Sequence, residues 1–194
     1  SHDFAVWDDI DVHYRGQVLT SGGHGFAAIS RQRLLAILRA RCEQFGVTIH
    51  YRQQAPALEV LRLQHDLVVG ADGVNSLTRQ SRQGVFQAQL DARHARYMWL
   101  GTPLVFDAFK FFISETDVGV VQAHAYPYSK TMSTFIVELE EESWIKSGQL
   151  DSSERTWSPG ESDEKGIAFC GKIFADVLKG HERVANNSRW IRFA

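Results

Sequence analysis

Apolar and polar positions change their rhythm several times along the chain. Residues 11–14 and 17–20 carry β-forming side chains on either side of Arg15-Gly16, which predicts a hairpin with a two-residue turn. Ser21-Gly22-Gly23-His24-Gly25 predicts a loop. Beyond Ser30 the apolar residues fall at Leu34, Leu35, Leu38 and Cys42, with Phe45 close behind. That is the spacing of one buried helical stripe, and Gly46 is a natural stop. Residues 47–51 predict a short strand. Asp66-Leu67-Val68-Val69-Gly70 is a continuous apolar run, the pattern of a strand covered on both faces in a parallel sheet. It leads into Ala71-Asp72-Gly73 and a polar stretch ending near Arg82.

The second half is β-rich. Four runs, 95–101, 108–114, 119–126 and 132–139, predict strands, and the short turns joining the last three predict antiparallel pairing. Within the third run, side chains alternate between faces. Val118, Val120, Gln122, His124 and Tyr126 share one face, and Gly119, Val121, Ala123 and Ala125 share the other. Residues 149–162 are polar, with Pro159-Gly160, and read as a connector. A second helix is predicted over 163–178, with Ile167, Cys170, Ile173, Phe174, Val177 and Leu178 on its apolar face and Gly180 at its end. The fold class is therefore mixed, α+β or α/β, with a first segment over 1–92 and an antiparallel-sheet segment with a flanking helix over 93–194.

Composition narrows the function. With 194 residues, 44% of them apolar, the chain has material for one large domain or two small ones. Its 21 basic residues are balanced by 23 acidic ones, which argues against nucleic acid or an anionic membrane as partner. Arg33 and Arg41 read as a solvated helix face. No apolar run approaches the ~20 residues that span a bilayer. Two cysteines build no disulfide framework, so a reducing, cytoplasmic setting is the expectation. The eight histidines lack metal-site spacing, and neither a G-x-S-x-G elbow nor a P-loop occurs. The chain opens and closes in strand-like sequence, as a piece of a longer protein would.

Three places could carry chemistry. Gly23-His24-Gly25-Phe26-Ala27-Ala28 fits the dinucleotide pattern G-x-G-x-x-A, but the strand before it belongs to a hairpin and not to a βαβ unit, so a loop is expected. Gly70-Ala71-Asp72-Gly73-Val74-Asn75-Ser76-Leu77-Thr78-Arg79 follows the apolar run. There the Asp72 carboxylate can accept from a sugar hydroxyl or an amide, or simply cap the helix that follows, leaving Arg79 solvated. The Gln122, His124 and Tyr126 face can meet a ligand or be a solvent face with a hydrogen-bonded histidine. Tyr97 and Trp99 could add an aromatic wall or pack in the core.

The ten residues from Gly70 to Arg79 resemble the G-A-D-G-x-x-S-x-x-R motif of the flavin-dependent aromatic hydroxylases, the p-hydroxybenzoate hydroxylase-like monooxygenases. Arg31, Leu34 and Leu38 are similar to the same family's R-x-x-L-x-x-x-L helix. Trp99-Leu100-Gly101-Thr102, Gln122-Ala123-His124-Ala125-Tyr126 and residues 133–138 extend the likeness, which leans to the branch that hydroxylates salicylyl-CoA. The resemblance implies FAD and NAD(P)H as cofactors. It implies hydroxylation of a small aromatic substrate, free or as a CoA thioester, through a flavin C4a-hydroperoxide. It places Arg31, Asp72 and Gly73 at the flavin nucleotide, Ser76 and Arg79 in the fold of the motif and the nicotinamide path, and Gln122, His124 and Tyr126 in a substrate roof, with no catalytic side chain from these residues. The family's G-x-G-x-x-G unit and its later G-D motif are absent from residues 1–194, so the implied piece is the central part of such an enzyme, inactive alone. A non-catalytic module that binds a small aromatic ligand without flavin is the alternative.

Overall fold

The computed structural model describes residues 4–91, 93–150, 155–181, 183–185 and 187–192. They form two compact units, one from the residues up to Ile37 and from Arg93 onward, the other from those between Leu38 and Asp91.

The first unit is built on a seven-stranded sheet in the order β3-β2-β6-β7-β8-β5-β9. Its strands are β2 (Ile10–Tyr14), β3 (Gln17–Ser21), β5 (Arg96–Thr102), β6 (Phe109–Thr116), β7 (Gly119–Pro127), β8 (Ser133–Leu139) and β9 (Trp190–Arg192). The four strands expected in the second half all form, and they pair antiparallel. The hairpin forms too. Its turn places Arg15 at φ +49° and Gly16 at φ +74°, the doubly positive conformation that matches the twist of two-residue hairpins. Sequence groups this hairpin with the segment ending at residue 92, yet β2 lies parallel to β6, so it extends the second segment's sheet and makes that sheet mixed. A separate two-stranded sheet joins β1 (Ala5–Trp7) to β4 (Phe26–Ala28).

Alternation decides which face of the large sheet is core. Val121, Ala123 and Ala125 are fully buried on β7, alongside Phe135 and Val137 of β8 and Met98 and Leu100 of β5. The helix expected over 163–178 covers this face, broken at Phe174 into α6 (Glu164–Ile173) and α7 (Ala175–Leu178). Phe174 meets Phe135 edge-on at 5.6 Å, and Ile167, Cys170 and Leu178 are buried beside it. Each such side chain contributes ~1.5–3 kcal/mol on leaving water. Asp163 caps α6 by accepting from the Gly166 amide at 2.9 Å. A short helix absent from the sequence expectation, α5 (Glu141–Lys146), buries Trp144 in the same core.

The second unit differs from expectation. Helix α1 (Arg31–Gln44) forms, starting among the first unit's residues and ending among the second's, and α2 (Leu58–Gln64), α3 (Leu77–Ser81) and α4 (Gln83–Phe86) follow within the second. However, the stripe expected to be buried is exposed at Leu34, Leu35, Leu38 and Phe45. The strands expected at 47–51 and 66–70 are absent, and Leu67 and Val69 are 78% and 76% exposed. The reason is ladder chemistry. An apolar β-forming run becomes a strand only where a neighbour takes up its N–H and C=O groups, and no described residue from 38 to 91 is in a strand. Ser76 alone is buried among them. No described helix is long and apolar enough to cross a membrane.

Candidate functional site

The turn from Gly70 to Arg79 is held together by its own fixed residues. Asp72 accepts from the Ser76 hydroxyl at 2.6 Å and from the Thr78 amide at 3.1 Å. Ser76 in turn accepts from the Arg79 amide at 2.9 Å, so Ser76 is the N-cap of α3 and Asp72 supports it from the next position outward. These donors, the serine hydroxyl first, pull the Asp72 carboxyl down to about 2. The Arg79 guanidinium donates to the carbonyls of Gly73 and Val74, closing the loop from the other side. Gly73 sits at φ +80°, where a side chain would be strained. Gly70 is small for a different reason. A Cβ there would lie 2.9 Å from Thr78 Cγ2, so the space beside it belongs to Thr78.

The G-x-G loop is a loop, as its context indicates. The Asp8 carboxylate accepts from the amides of Gly23 and Gly25, each at 2.9 Å, and β4 follows where a dinucleotide turn would need a helix. The anion on these amides is the protein's own.

On β7, Gln122, His124 and Tyr126 do share the face opposite the core, and all three are half-buried. Tyr126 lies between Trp7, stacked at 5.8 Å, and Phe109, edge-on at 5.2 Å. Phe109 and Phe111 both lie near the His124 ring, at 5.8 and 5.9 Å. Gln122 donates to Glu138 on β8 at 2.8 Å, and His124 Nδ1 stands 4.0 Å from the same carboxylate. Burial lowers the His124 pKa against the opposing pull of Glu138. The result is an aromatic surface with an amide, an imidazole and one carboxylate at its centre. Trp99 stands on this face, 48% exposed, not in the core.

No family model matches the chain. Over 188 residues, 97% of its length, it is 38% identical to salicyloyl-CoA 5-hydroxylase from a Streptomyces species. Over 188 residues it is 34% identical to 3-hydroxy-4-methyl-anthranilyl-(aryl-carrier protein) 5-monooxygenase from Streptosporangium sibiricum. The fold superposes on PqsL, a probable FAD-dependent monooxygenase from Pseudomonas aeruginosa, over the whole chain and 56% of PqsL, with TM-score 0.57 at 12% identity. The chain is a relative of the flavin monooxygenases.

A flavoprotein/dehydrogenase from Cytophaga hutchinsonii shares the fold at TM-score 0.54 and 12% identity, over 97% of this chain and 50% of that one. Like these neighbours, the monooxygenase relative has a mixed α+β fold. It spans 36% and 46% of the two sequence relatives' lengths.

The turn of this flavin-monooxygenase relative presents an exposed carboxylate that can accept from a hydroxyl, the kind of donor an FAD ribose or ribityl chain carries. Asp72 is solvent-facing, with the Ser76 hydroxyl and the Thr78 amide as its donors within the turn. Nothing lies within 4 Å of where a Gly73 Cβ would stand, so that side of the turn is clear. Arg31 opens α1, exposed, in the unit that does not contain Asp72. Sequence reasoning missed Trp7, Phe109 and Glu138. Alternation marks Phe109 and Glu138 as side chains of one face each, but only tertiary structure joins them, setting Phe109 edge-on to Tyr126 and Glu138 opposite Gln122.

Proposed function

We propose that the full-length protein carrying this chain is an FAD-dependent, NAD(P)H-using monooxygenase that hydroxylates an aromatic ring. The likeness to salicyloyl-CoA 5-hydroxylase along 97% of the chain carries the reading and favours an aryl-CoA such as salicylyl-CoA. Arg31 supplies a charge-assisted contact to the pyrophosphate or ribityl chain. Asp72 accepts from a ribityl or ribose hydroxyl, and Gly73 lets the backbone approach. Ser76 and Arg79 keep that carboxylate aimed by fixing the turn. When bound, FAD supplies the activated oxygen, and the protein's part is binding, orientation and exclusion of water.

The sheet face supplies the substrate side. Tyr126 offers a ring to stack on, and its neighbours Trp7 and Phe109 hold it in place. Gln122 and His124 offer hydrogen bonds to substituents of the ring. The reading is tested by purifying the full-length protein, recording its flavin absorbance and following NADH or NADPH oxidation with salicylyl-CoA. Flavin absorbance with substrate-stimulated oxidation and a hydroxylated product is expected. A colourless protein that takes up no FAD would overturn it.

A further inference from the structure

The face carrying Gln122, His124 and Tyr126 has an unusual charge pattern. Strand register assigns to it Tyr97 and Trp99 of β5, Phe109, Phe111, Ile113 and Glu115 of β6, Val120 of β7, and Thr134, Ile136 and Glu138 of β8. The outer strands add Ile10, Val12 and Tyr14 of β2, Gln17, Leu19 and Ser21 of β3, and Ile191 of β9. None of these positions is a lysine or arginine. Arg96, Lys110 and Arg192 fall on the opposite parity, and Lys110 is held there by Asp11 and Asp107 at 2.6 and 2.8 Å. Of the two carboxylates on the face, Glu115 is taken by Arg15 and Tyr14 at its far end. Glu138 is left with the Gln122 amide at 2.8 Å and His124 Nδ1 at 4.0 Å, and with no lysine or arginine among the sheet positions of this face.

We propose that Glu138 is a specificity-determining residue, making this face select aromatic acyl derivatives whose carboxyl group is masked as an ester or thioester and reject the free aromatic acid. The inference rests on the reading of this face as the substrate side.

The physical reason is like-charge repulsion in a partly desolvated site. The Glu138 side chain is 20% exposed, so water screens it poorly, and a second carboxylate nearby meets an uncompensated field. Beside the His124 ring stand the Phe109 and Phe111 rings and, 4.0 Å from Nδ1, Glu138 itself, and burial works against the imidazolium that would pair with it. A masked carboxyl loses nothing there, and a ring hydroxyl or amine gains an acceptor. Discrimination here is built as much by what the face repels as by what it holds.

The test compares binding of 2-hydroxybenzoate and its uncharged methyl ester to the full-length flavoprotein, by quenching of tryptophan or flavin fluorescence. The wild type is expected to bind the ester at least tenfold more tightly. Glu138→Gln is expected to raise affinity for the free acid roughly tenfold and leave the ester unchanged. Glu115→Gln, at the paired carboxylate, should leave the ratio as it was. An unchanged ratio in Glu138→Gln, with the ester still bound, overturns the role of Glu138. Failure of the wild type to bind either compound, with FAD in place, overturns the substrate face itself.

Discussion

Ser76 and Asp72 form a two-step relay. The serine hydroxyl donates to the Asp72 carboxylate at 2.6 Å and accepts the Arg79 amide at 2.9 Å. One acid thus fixes a cap and the arginine that closes the turn behind it, while keeping its own outer edge open to solvent.

Removing the link should loosen α3 without disturbing the sheet. Ser76→Ala deletes an N-cap and strands Asp72, a loss of roughly 1 kcal/mol of local stability. Hydrogen exchange at residues 77–81 should accelerate several-fold while protection in β5–β8 stays constant. Equal acceleration in both would show that the turn is no separate device.

The pH dependence of the turn has a defined sign. Folding lowers the Asp72 carboxyl from the ordinary 3.8 to about 2. Its contribution is therefore fully present above the ordinary carboxylate value, declines below it, and is lost as the pH falls through about 2. An NMR titration of the Asp72 carboxyl should give a midpoint well under that of the exposed aspartates. A midpoint near 4 would mean that the Ser76 and Thr78 donors do not hold in solution.

Gly70 and Thr78 should behave as a coupled pair. Gly70→Ala pushes a methyl to 2.9 Å from Thr78 Cγ2 and should cost about 1–3 kcal/mol. Thr78→Ser removes that methyl, so the double variant should recover most of the loss. A denaturation cycle with additive effects would contradict the contact.

The two faces of the large sheet should answer differently to truncation. Phe135→Ala empties a position only 1% exposed and should cost ~3–5 kcal/mol. Trp99→Ala, on the half-open face, should cost far less. Thermal unfolding of both variants decides this, and a comparable loss at Trp99 would mean that its face is also core.

On the substrate side, His124→Ala and Tyr126→Ala in the full-length protein should weaken aromatic binding at least several-fold and leave flavin content intact. Unchanged affinity in both removes them from the site.

The amino-acid order alone specifies much of this chain. The hairpin turn at Arg15-Gly16, the four β-runs, the faces of β7 and the apolar stripe of α6 and α7 follow from local periodicity and turn chemistry, which act over a few residues. The turn from Gly70 to Arg79 was legible as a motif for the same reason, because its acid, its cap and its arginine all lie within ten residues. Tertiary structure decided the rest. That β2 joins β6, that Glu138 stands beside Gln122, and that Trp7 stacks on Tyr126 are matters of register between distant segments. The stretch at 66–70 has the composition of a buried strand but no described neighbour to pair with. Periodicity tells a side chain which face it takes; only the partner strand tells it what it will meet there.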